Sequence, residues 1–194
     1  MPNSGDIEVE VTLGPLCSSK YEWSKSEDAY EIEHVLKELL KRSNMIDLTR
    51  LCIQEGEFAF RLRVSILCLS HAGNLVDACV QALTAALLST LIPAVKVDND
   101  RVVVDESIKP SPLVLNKTPI SVTIGIFEDF LIIDPSAEEE NYLEGKFTAV
   151  LSGDGNPLYV THYVNRRGFV QSQHESLLAL CGSVAQGIRR DLNW

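Results

Sequence analysis

One stretch, LVDACVQALTAALLSTLIP (residues 75–93), restricts the possible folds of this chain more than any other. At helical spacing its apolar side chains cover nearly every side of a helix, and such a helix is typical of a protein core. Asn74 precedes the stretch and Pro93 bounds it. The sequence therefore predicts a buried central helix, which the remaining elements must cover.

Two strand patterns lie before this helix. IEVEVTL (7–13) alternates apolar and polar residues, as expected of a half-exposed strand. FAFRLRVSILCLS (58–70) also alternates, and its second face becomes apolar at Leu67 and Leu69. This change predicts a strand that begins exposed and ends buried on both faces.

Two capping patterns predict further helices. Ser24 and Glu27 form a capping box before an amphipathic helix over about 27–42. Ser172 and Glu175 form the same pattern before the last helix of the chain. Each of these helices has one apolar stripe, so each is expected to cover a sheet or a neighbouring helix.

Three strand pairs are predicted between the central helix and the last one. They are AVKV with RVVV (94–104), ISVTIGIF with FLIID (120–134), and KFTAVLSG with PLYVTHYV (146–164). The order is therefore β–α–β–α–ββ–ββ–ββ–α, and no Gly-rich linker or repeat interrupts it. We predict a single α+β domain over residues 1–194, with mixed sheets around the buried helix.

Composition excludes several classes of protein. The net charge is −10, and residues 127–145 hold seven acidic side chains and no basic one. Phosphate backbones repel such a chain, so contact with nucleic acid would need a local basic patch or basic partner subunits. No apolar run reaches the roughly 18 residues of a membrane-spanning helix. The first residues, MPNSGDIEVEV, lack the pattern of a secretory signal.

The cysteines are scattered and odd in number. They are Cys17, Cys52, Cys68, Cys79 and Cys181. No CxxC motif or accompanying histidine pair is present, so we expect reduced, buried thiols in a cytosolic or nuclear setting, rather than a disulfide framework or a zinc site.

The segment HAGNLVDA (71–78) opens the central helix. Asn74 is a favourable N-cap, Asp77 can face the positive helix end, and Gly73 permits a sharp turn. His71 has the chemistry of a general base, although its neighbours in sequence offer it no partner. We interpret the segment as a structural helix start, with a functional site at its mouth as the alternative.

Two other segments carry possible chemistry. The acidic run EEENYLEGK (138–146) has the ligands for Mg²⁺ or for acid–base catalysis, with a solvated turn as the alternative. Arg166, Arg167 and Gly168 could hold phosphate groups or RNA, and a basic surface turn is the alternative. The chain contains no GxGxxG, P-loop, HExxH or GxSxG motif.

Several motifs in this order resemble the ribonuclease PH-like subunits of the eukaryotic RNA exosome. They are PLCSSK (15–20), ILCLSHAGNLVDACVQALTAAL (66–87), VKVDNDRVVVD (95–105) and TPISVTIGIFEDFLIIDPSAEEE (118–140). PLCSS and GNLVDAC are most similar to the ribosomal RNA-processing protein 43 type. The resemblance runs from about residue 7 to the C-terminus.

The resemblance implies the ribonuclease PH fold, which is related to the second domain of ribosomal protein S5. It also implies a ring of six such subunits, decorated by cap proteins, through which RNA threads. Other ring and cap subunits would be the partners, in the cytoplasm and in the nucleus, including the nucleolus, with no membrane association. Complete members carry about another third of a domain before the first strand, so we expect this chain to lack the N-terminal part.

Departures from the family pattern bear on activity. Active members carry two aspartates six residues apart, where this chain has Glu140 and Lys146. A lysine cannot act as the catalytic carboxylate or hold a divalent cation. Active members also carry a Gly-rich phosphate loop where this chain has NRRG (165–168), and related silent subunits have an aspartate where this chain has Ala72. We therefore expect no enzyme activity, no catalytic residues, no metal and no cofactor.

The favoured hypothesis is a non-catalytic structural subunit of the exosome ring that supports 3′–5′ RNA processing, RNA degradation and rRNA maturation. The candidate RNA contacts are Arg61, Arg63, Arg166 and Arg167. One alternative is an active phosphate-dependent 3′–5′ exoribonuclease that uses the acidic run and the arginine pair. The other is an acidic protein-interaction module without an RNA role.

Overall fold

The computed structural model describes residues 3–21, 26–164 and 171–192. Its secondary-structure elements are β1 (Asp6–Leu13), α1 (Glu27–Ser43), a 3₁₀ turn (Leu48–Leu51), β2 (Cys52–Gln54), β3 (Phe58–Ala59), β4 (Arg61–Cys68), α2 (Leu75–Leu88), β5 (Leu91–Ile92), β6 (Val95–Asp98), β7 (Arg101–Val104), β8 (Ser111–Pro112), β9 (Ile120–Phe127), β10 (Phe130–Ile133), α3 (Ala137–Glu140), β11 (Gly145–Leu151), β12 (Pro157–Val164) and α4 (Gln171–Leu192). The predicted order of strands and main helices is confirmed, and six short elements are added to it: the 3₁₀ turn, β2, β3, β5, β8 and α3.

The largest sheet is antiparallel, with strand order β10-β9-β11-β12. Its two central strands bury both faces, because residues of alternating side-chain direction meet different helices. On one face, Ser121 and Thr123 of β9 approach α2. On the other face, Ile124 and Phe147 pack against α4, whose buried stripe includes Cys181.

A second, smaller sheet is parallel and consists of β1 and β4, in register from Asp6 opposite Arg61 to Leu13 opposite Cys68. Helix α1 connects the two strands and packs on β1 and β12, while α2 packs on β4 and β9. Helices α1 and α2 therefore lie between the parallel pair and the four-stranded sheet, and α4 covers the far face of that sheet. This is the predicted α+β arrangement of mixed sheets around a central helix.

Helix α2 is buried on one broad side only, so the prediction of burial all round is wrong. Val80, Leu83 and Leu87 are fully buried in the core. Ala82 and Ala85 lie on the exposed side of the helix, where Leu88 is 39% exposed. The outer side consists mainly of alanines. Because their apolar surface area is small, exposing them to water costs little free energy.

Strand β4 differs from its prediction at both ends. The run begins as the short strand β3, and Phe60 separates β3 from β4 because its amide pairs with Leu51 instead. Leu67 and Leu69 are 57% and 65% exposed. The predicted burial of both faces is therefore wrong, because within the described chain β4 pairs only with β1 and nothing covers its outer side.

The capping residues at the helix starts were predicted less accurately than the helices themselves. Ser26 caps α1 by accepting a hydrogen bond from the Ala29 amide, whereas Ser24 lies outside the described residues. Ser172 lies inside α4, which already includes Gln171, so Ser172 is not the cap of this helix. The predicted turn between β6 and β7 is confirmed, and Asn99 adopts a positive φ of 47° there. None of the described helices combines the length and apolar character needed to cross a bilayer.

Candidate functional site at the start of helix α2

A polar cleft of about 170 Å³ lies at the N-terminal end of α2, and we call it the helix cleft. It collects side chains from five separate parts of the chain: the loop after β1, helix α1, the turn into α2, strand β9, and the α3–β11 segment. Its lining includes Lys20, Tyr21, Asp28, Glu31, His71, Asn74, Thr123, Glu140, Lys146 and Thr148. The acidic run and the HAGNLVDA segment, which were separate candidates in the sequence, therefore meet at one place.

One wall of the helix cleft is an ion pair between α3 and β11. The Lys146 Nζ atom lies 3.3 Å from Glu140 Oε1, and the same oxygen accepts a hydrogen bond of 3.4 Å from the Asn74 amide. A carboxylate at this position also faces the positive end of the α2 dipole. Glu140 thus has a cation and a backbone amide of the helix start as its partners.

The opposite wall is a second polar group, formed by the loop after β1 and the first turn of α1. Asp28 Oδ2 lies 2.8 Å from Lys20 Nζ and accepts a hydrogen bond of 2.7 Å from the Tyr21 hydroxyl. Burial raises the pKa of Tyr21, and its bond to Asp28 adds to this, so the pKa reaches about 12. Burial alone would raise the pKa of Asp28, but the hydrogen bonds from Lys20 and Tyr21 outweigh it and lower that pKa.

His71 lies between these walls, and no carboxylate of the described residues forms a hydrogen bond with it. Its Nδ1 atom accepts a hydrogen bond of 3.3 Å from the Gly73 amide, and its ring lies 6.0 Å from that of Tyr21. One ring nitrogen is therefore engaged in holding the turn into α2. The structure gives the imidazole a structural partner on this turn.

Beneath the helix cleft, Asp77 joins α2 to the four-stranded sheet. Its carboxylate accepts hydrogen bonds from the Ser121 hydroxyl, from the Thr123 amide at 2.7 Å, and from the Thr123 hydroxyl at 2.9 Å. A fourth bond, of 2.8 Å, comes from the Asn74 side chain. Burial raises the pKa of the Asp77 carboxyl, and the donated hydrogen bonds oppose that shift.

This arrangement corrects the predicted roles of Asn74 and Asp77. Asn74 occupies the N-cap position, but it has a left-handed backbone with φ of 45° and makes no side-chain cap bond. Its side-chain Nδ2 donates instead to Asp77 and, at 2.7 Å, to Asp134 Oδ1. Both polar side chains are therefore committed to tertiary contacts, which local sequence spacing does not reveal.

Gly73 is essential to the shape of the turn. Its φ of 115° disfavours any side chain, and a Cβ atom there would lie 2.5 Å from the Pro135 carbonyl oxygen and 2.6 Å from the Ala137 amide nitrogen. The close approach is held by a hydrogen bond of 2.8 Å from the Ala137 amide to the Ala72 carbonyl. The predicted sharp turn at Gly73 is confirmed, and its reason is contact with the start of α3.

The predicted RNA contacts on β4 lie away from the helix cleft lining. Arg61 and Arg63 are exposed on β4 and form ion pairs with carboxylates of β1: Arg61 with Asp6 at 3.3 Å, and Arg63 with Glu8 at 3.7 Å. Arg166 and Arg167 lie outside the described residues. RNA binding by these four arginines stays a prediction.

The acidic run does not form a cluster of carboxylates. Glu139 closes a capping box with Ser136, whereas Glu140 turns into the helix cleft and pairs with Lys146. Among the residues that the structure describes, no group of three or more His, Cys, Asp or Glu side chains is placed to hold a metal ion. The ammonium group of Lys146 stands beside the one carboxylate that the run contributes to the cleft.

Sequence reasoning overlooked several residues of the helix cleft. Lys20, Tyr21 and Asp28 lie in or next to the PLCSSK segment and α1, far from Lys146 in sequence. Thr123 and Thr148 face each other across β9 and β11 at 2.8 Å between their hydroxyl oxygens. Hydroxyl residues inside otherwise apolar strands were the available signal, because a buried hydroxyl needs a partner.

The matching family models follow this architecture. The model described as "3' exoribonuclease family, domain 1" matches residues 1–93, and that described as "3' exoribonuclease family, domain 2" matches residues 117–160. Together they include every element that lines the helix cleft. The fold is that of the ribonuclease PH-like proteins, and the chain belongs to the 3′ exoribonuclease family.

Two of the proteins that this chain is similar to come from archaea. The chain is 37% identical over 155 residues to the exosome complex component Rrp42 of Methanopyrus kandleri. The aligned segment covers 79% of this chain and 58% of the relative. It is 33% identical over 156 residues to the protein of the same name from Methanothermobacter thermautotrophicus, covering 80% and 57%. The chain thus spans somewhat more than half the length of these relatives.

Solved structures match more of the chain. A structure described as the Archaeoglobus fulgidus exosome with RNA bound to the active site superimposes with a TM-score of 0.85 at 28% identity, covering 98% of this chain and 72% of that one. An archaeal exosome core gives 0.80 at 26% identity, covering 100% and 71%. The rice Rrp46 crystal structure gives 0.66 at 17% identity, covers 97% and 73%, and supports the fold alone.

Proposed function

We propose that this chain is a non-catalytic structural subunit of an exosome-type ring, of the ribosomal RNA-processing protein 43 type. In this role it supports 3′–5′ RNA processing and degradation, including rRNA maturation, in the cytoplasm and in the nucleus with its nucleolus. Its partners are other ribonuclease PH-like subunits and cap subunits, and RNA passes through the assembled complex.

One observation carries the proposal: Lys146 pairs with Glu140 at the start of α2, with 3.3 Å between Nζ and Oε1. The family resemblance places the paired carboxylates of active members at these two positions. Charge stabilisation and proton transfer in phosphorolysis need groups that are free to interact with the reacting phosphate. Here the remaining carboxylate binds a lysine and the Asn74 amide, so it stabilises the local fold.

Direct contact with RNA is a secondary part of the proposal. Arg61 and Arg63 have side chains that are 61% and 73% exposed, so a phosphate backbone can reach them. Their carboxylate partners on β1, Asp6 and Glu8, weaken the attraction for phosphate. We therefore assign the chain an assembly role first, with RNA held mainly by the assembled complex.

The first test measures assembly and activity together. The chain is co-expressed with other ribonuclease PH-like subunits, purified through a tag on this chain, and its native mass is measured with and without them. We expect co-purification as one complex. In parallel, the isolated chain is incubated with labelled RNA and phosphate, and we expect no phosphate-dependent shortening, with an active family member as the positive control.

A matched variant makes the activity test specific. Glu140→Gln removes the carboxylate that the acidic run contributes to the helix cleft. Phosphate-dependent decay by the natural chain that is lost in Glu140→Gln would contradict the non-catalytic role. Decay that persists unchanged in the variant would identify a contaminating nuclease. Failure to capture any ribonuclease PH-like subunit would contradict the assembly role.

A further inference from the structure

Two thiols face each other across the interface between β4 and α2. Cys68 is the last residue of β4 and Cys79 lies in the second turn of α2, and their Sγ atoms are 3.9 Å apart. Both are free cysteines. By contrast, the thiols of Cys52 and Cys181 point at backbone carbonyl groups, at 3.9 Å from Phe58 and 3.8 Å from Val122. Cys17 is buried nearby, where burial and the charge of Cys68 raise its pKa, but the thiol–thiol contact joins Cys68 and Cys79.

The two thiols differ in access to solvent. Cys79 is 2% exposed and belongs to the core between β4 and α2. Cys68, in contrast, is only half-buried at the end of β4. A small oxidant can therefore reach the Cys68 sulfur before the Cys79 sulfur. Cys79 lies deeper in the core, with its sulfur next to that of Cys68.

The electrostatics of the pair favour the same order of reaction. The hydrogen bond from Cys79 outweighs burial and lowers the pKa of Cys68 to about 7. The bond to Cys68 and burial raise the pKa of Cys79. The thiolate therefore forms more readily at Cys68 than at Cys79, and the thiolate is the form that reacts with peroxides.

We propose that Cys68 and Cys79 are a reversible oxidation site, in which hydrogen peroxide converts the two thiols to a disulfide that ties β4 to α2. The Cys68 sulfur attacks the peroxide, an S–O bond forms as the O–O bond breaks, and one water leaves. The Cys79 sulfur then attacks Cys68, and an S–S bond forms as the S–O bond breaks. The displaced hydroxide takes the Cys79 proton and leaves as a second water.

Formation of the disulfide requires only a modest movement of the two sulfur atoms. The S–S bond of a disulfide is about 2.05 Å long, so the sulfur atoms must approach by roughly 2 Å. Rotation of the half-buried Cys68 side chain and a small shift of the first turns of α2 can supply it. The closed loop would carry His71, Gly73 and Asn74, and would fix the rim of the helix cleft. This proposal does not depend on the proposed function.

The test uses the full chain, fully reduced and then treated with one equivalent of hydrogen peroxide at neutral pH. Digestion without reductant, followed by mass spectrometry, should recover a Cys68–Cys79 linked peptide lighter by two hydrogen atoms, and dithiothreitol should reverse the change. The oxidised chain should also unfold at a higher temperature, because the cross-link restricts the unfolded chain.

Variants separate the two steps. In Cys79→Ser, Cys68 should stop at the sulfenic acid, which dimedone captures, and no linked peptide should form. Cys79→Ala repeats this test with a smaller side chain if the serine is poorly tolerated in the core. Cys52→Ser is the matched control and should form the disulfide as the natural chain does. Linkage of Cys68 to Cys17 or to a second chain, or two thiols that stay free under these conditions, would overturn the proposal.

Discussion

At the scale of single residues, Asp77 determines how α2 attaches to the four-stranded sheet. It is 7% exposed and accepts hydrogen bonds from Ser121, Thr123 and Asn74. Buried carboxylates are tolerated only when such partners satisfy them, and the partners become unsatisfied when the carboxylate is removed. The start of the central helix is therefore held by a polar network inside an otherwise apolar core.

We predict that Asp77→Ala destabilises the chain strongly. The substitution leaves the Ser121 hydroxyl, the Thr123 amide and part of the Asn74 amide group without an acceptor. The free energy of unfolding should fall by about 3 kcal/mol or more. Urea unfolding monitored by circular dichroism measures this loss.

The control for this prediction is Asp191→Ala, at an exposed position near the end of α4. An exposed substitution of this kind should change the free energy of unfolding by less than about 0.5 kcal/mol. Equal losses in the two variants would show that the buried network contributes nothing beyond the general effect of removing an acidic side chain.

Sequence reasoning recognised the residues of this site better than their partners. Asn74 and Asp77 fit a helix cap by spacing, yet their hydrogen bonds run to Asp134, Ser121 and Thr123, which are 44 to 60 residues away in sequence. Local patterns report only local partners. The positions of Glu140 and Lys146 came from family resemblance, and their contact with the α2 start required the fold.

At the scale of elements, the alternation of apolar and polar residues was sufficient to predict the position of most strands. β1 and β9 were predicted closely, since their side chains alternate between two sides that are covered differently. The β6–β7 hairpin was predicted as closely because Asp98, Asn99 and Asp100 mark its turn, although β7 is exposed along its whole length. The pattern of apolar residues was insufficient to predict burial at the end of β4 and on the outer side of α2. There the sequence is apolar but Leu69 and Ala82 are exposed, and apolar character alone does not tell which side a neighbour covers.

The turn into α2 illustrates how one element restricts another. Helix α3 begins against Gly73, and the Ala72 carbonyl accepts a hydrogen bond from the Ala137 amide. Gly73 has no room for a Cβ atom. The acidic run therefore reaches the helix cleft only because a glycine lets the two helix starts approach.

We predict that Gly73→Ala disrupts this approach. The alanine would face both an unfavourable positive φ and contacts of 2.5–2.6 Å with the start of α3. The cost should be about 3 kcal/mol or more in unfolding free energy, since the steric overlap adds to backbone strain. Hydrogen exchange should also quicken at the Ala137 amide, which donates to Ala72.

Gly155→Ala is the matched control. Gly155 also has a positive φ, of 83°, but nothing lies within 4 Å of the position of a Cβ atom there. Its substitution should cost only the backbone strain, about 1–2 kcal/mol. If both variants lose the same free energy, the contact between the α2 turn and α3 is not under steric restriction.

At the scale of the whole molecule, stability reflects carboxylates of two kinds within a chain of net charge −10. For most of the shifted carboxyl groups, hydrogen bonds and cations lower the pKa. Asp28, Glu38, Asp47, Asp105, Glu139 and Asp154 belong to this kind. Asp77 is of the other kind, because burial raises its pKa.

The two kinds affect stability with opposite signs. A carboxyl with a lowered pKa in the folded state, such as Asp28, contributes stability above its unfolded pKa, and this is lost as the pH falls. A carboxyl with a raised pKa, such as Asp77, contributes stability that is complete below the unfolded pKa and is lost as the pH rises through the folded value. The unfolded pKa of aspartate is about 3.9.

We predict that Asp77→Asn and Asp28→Asn change the pH dependence of stability in opposite directions. The free energy of unfolding of the natural chain minus that of Asp77→Asn should be largest below about pH 4 and should decrease as the pH rises. The same difference for Asp28→Asn should be largest at neutral pH and should decrease as the pH falls below about 4. Urea unfolding at a series of pH values measures both differences. A difference for Asp77→Asn that instead grows with rising pH would mean that its four hydrogen bonds outweigh burial and hold the carboxylate charged between α2 and β9.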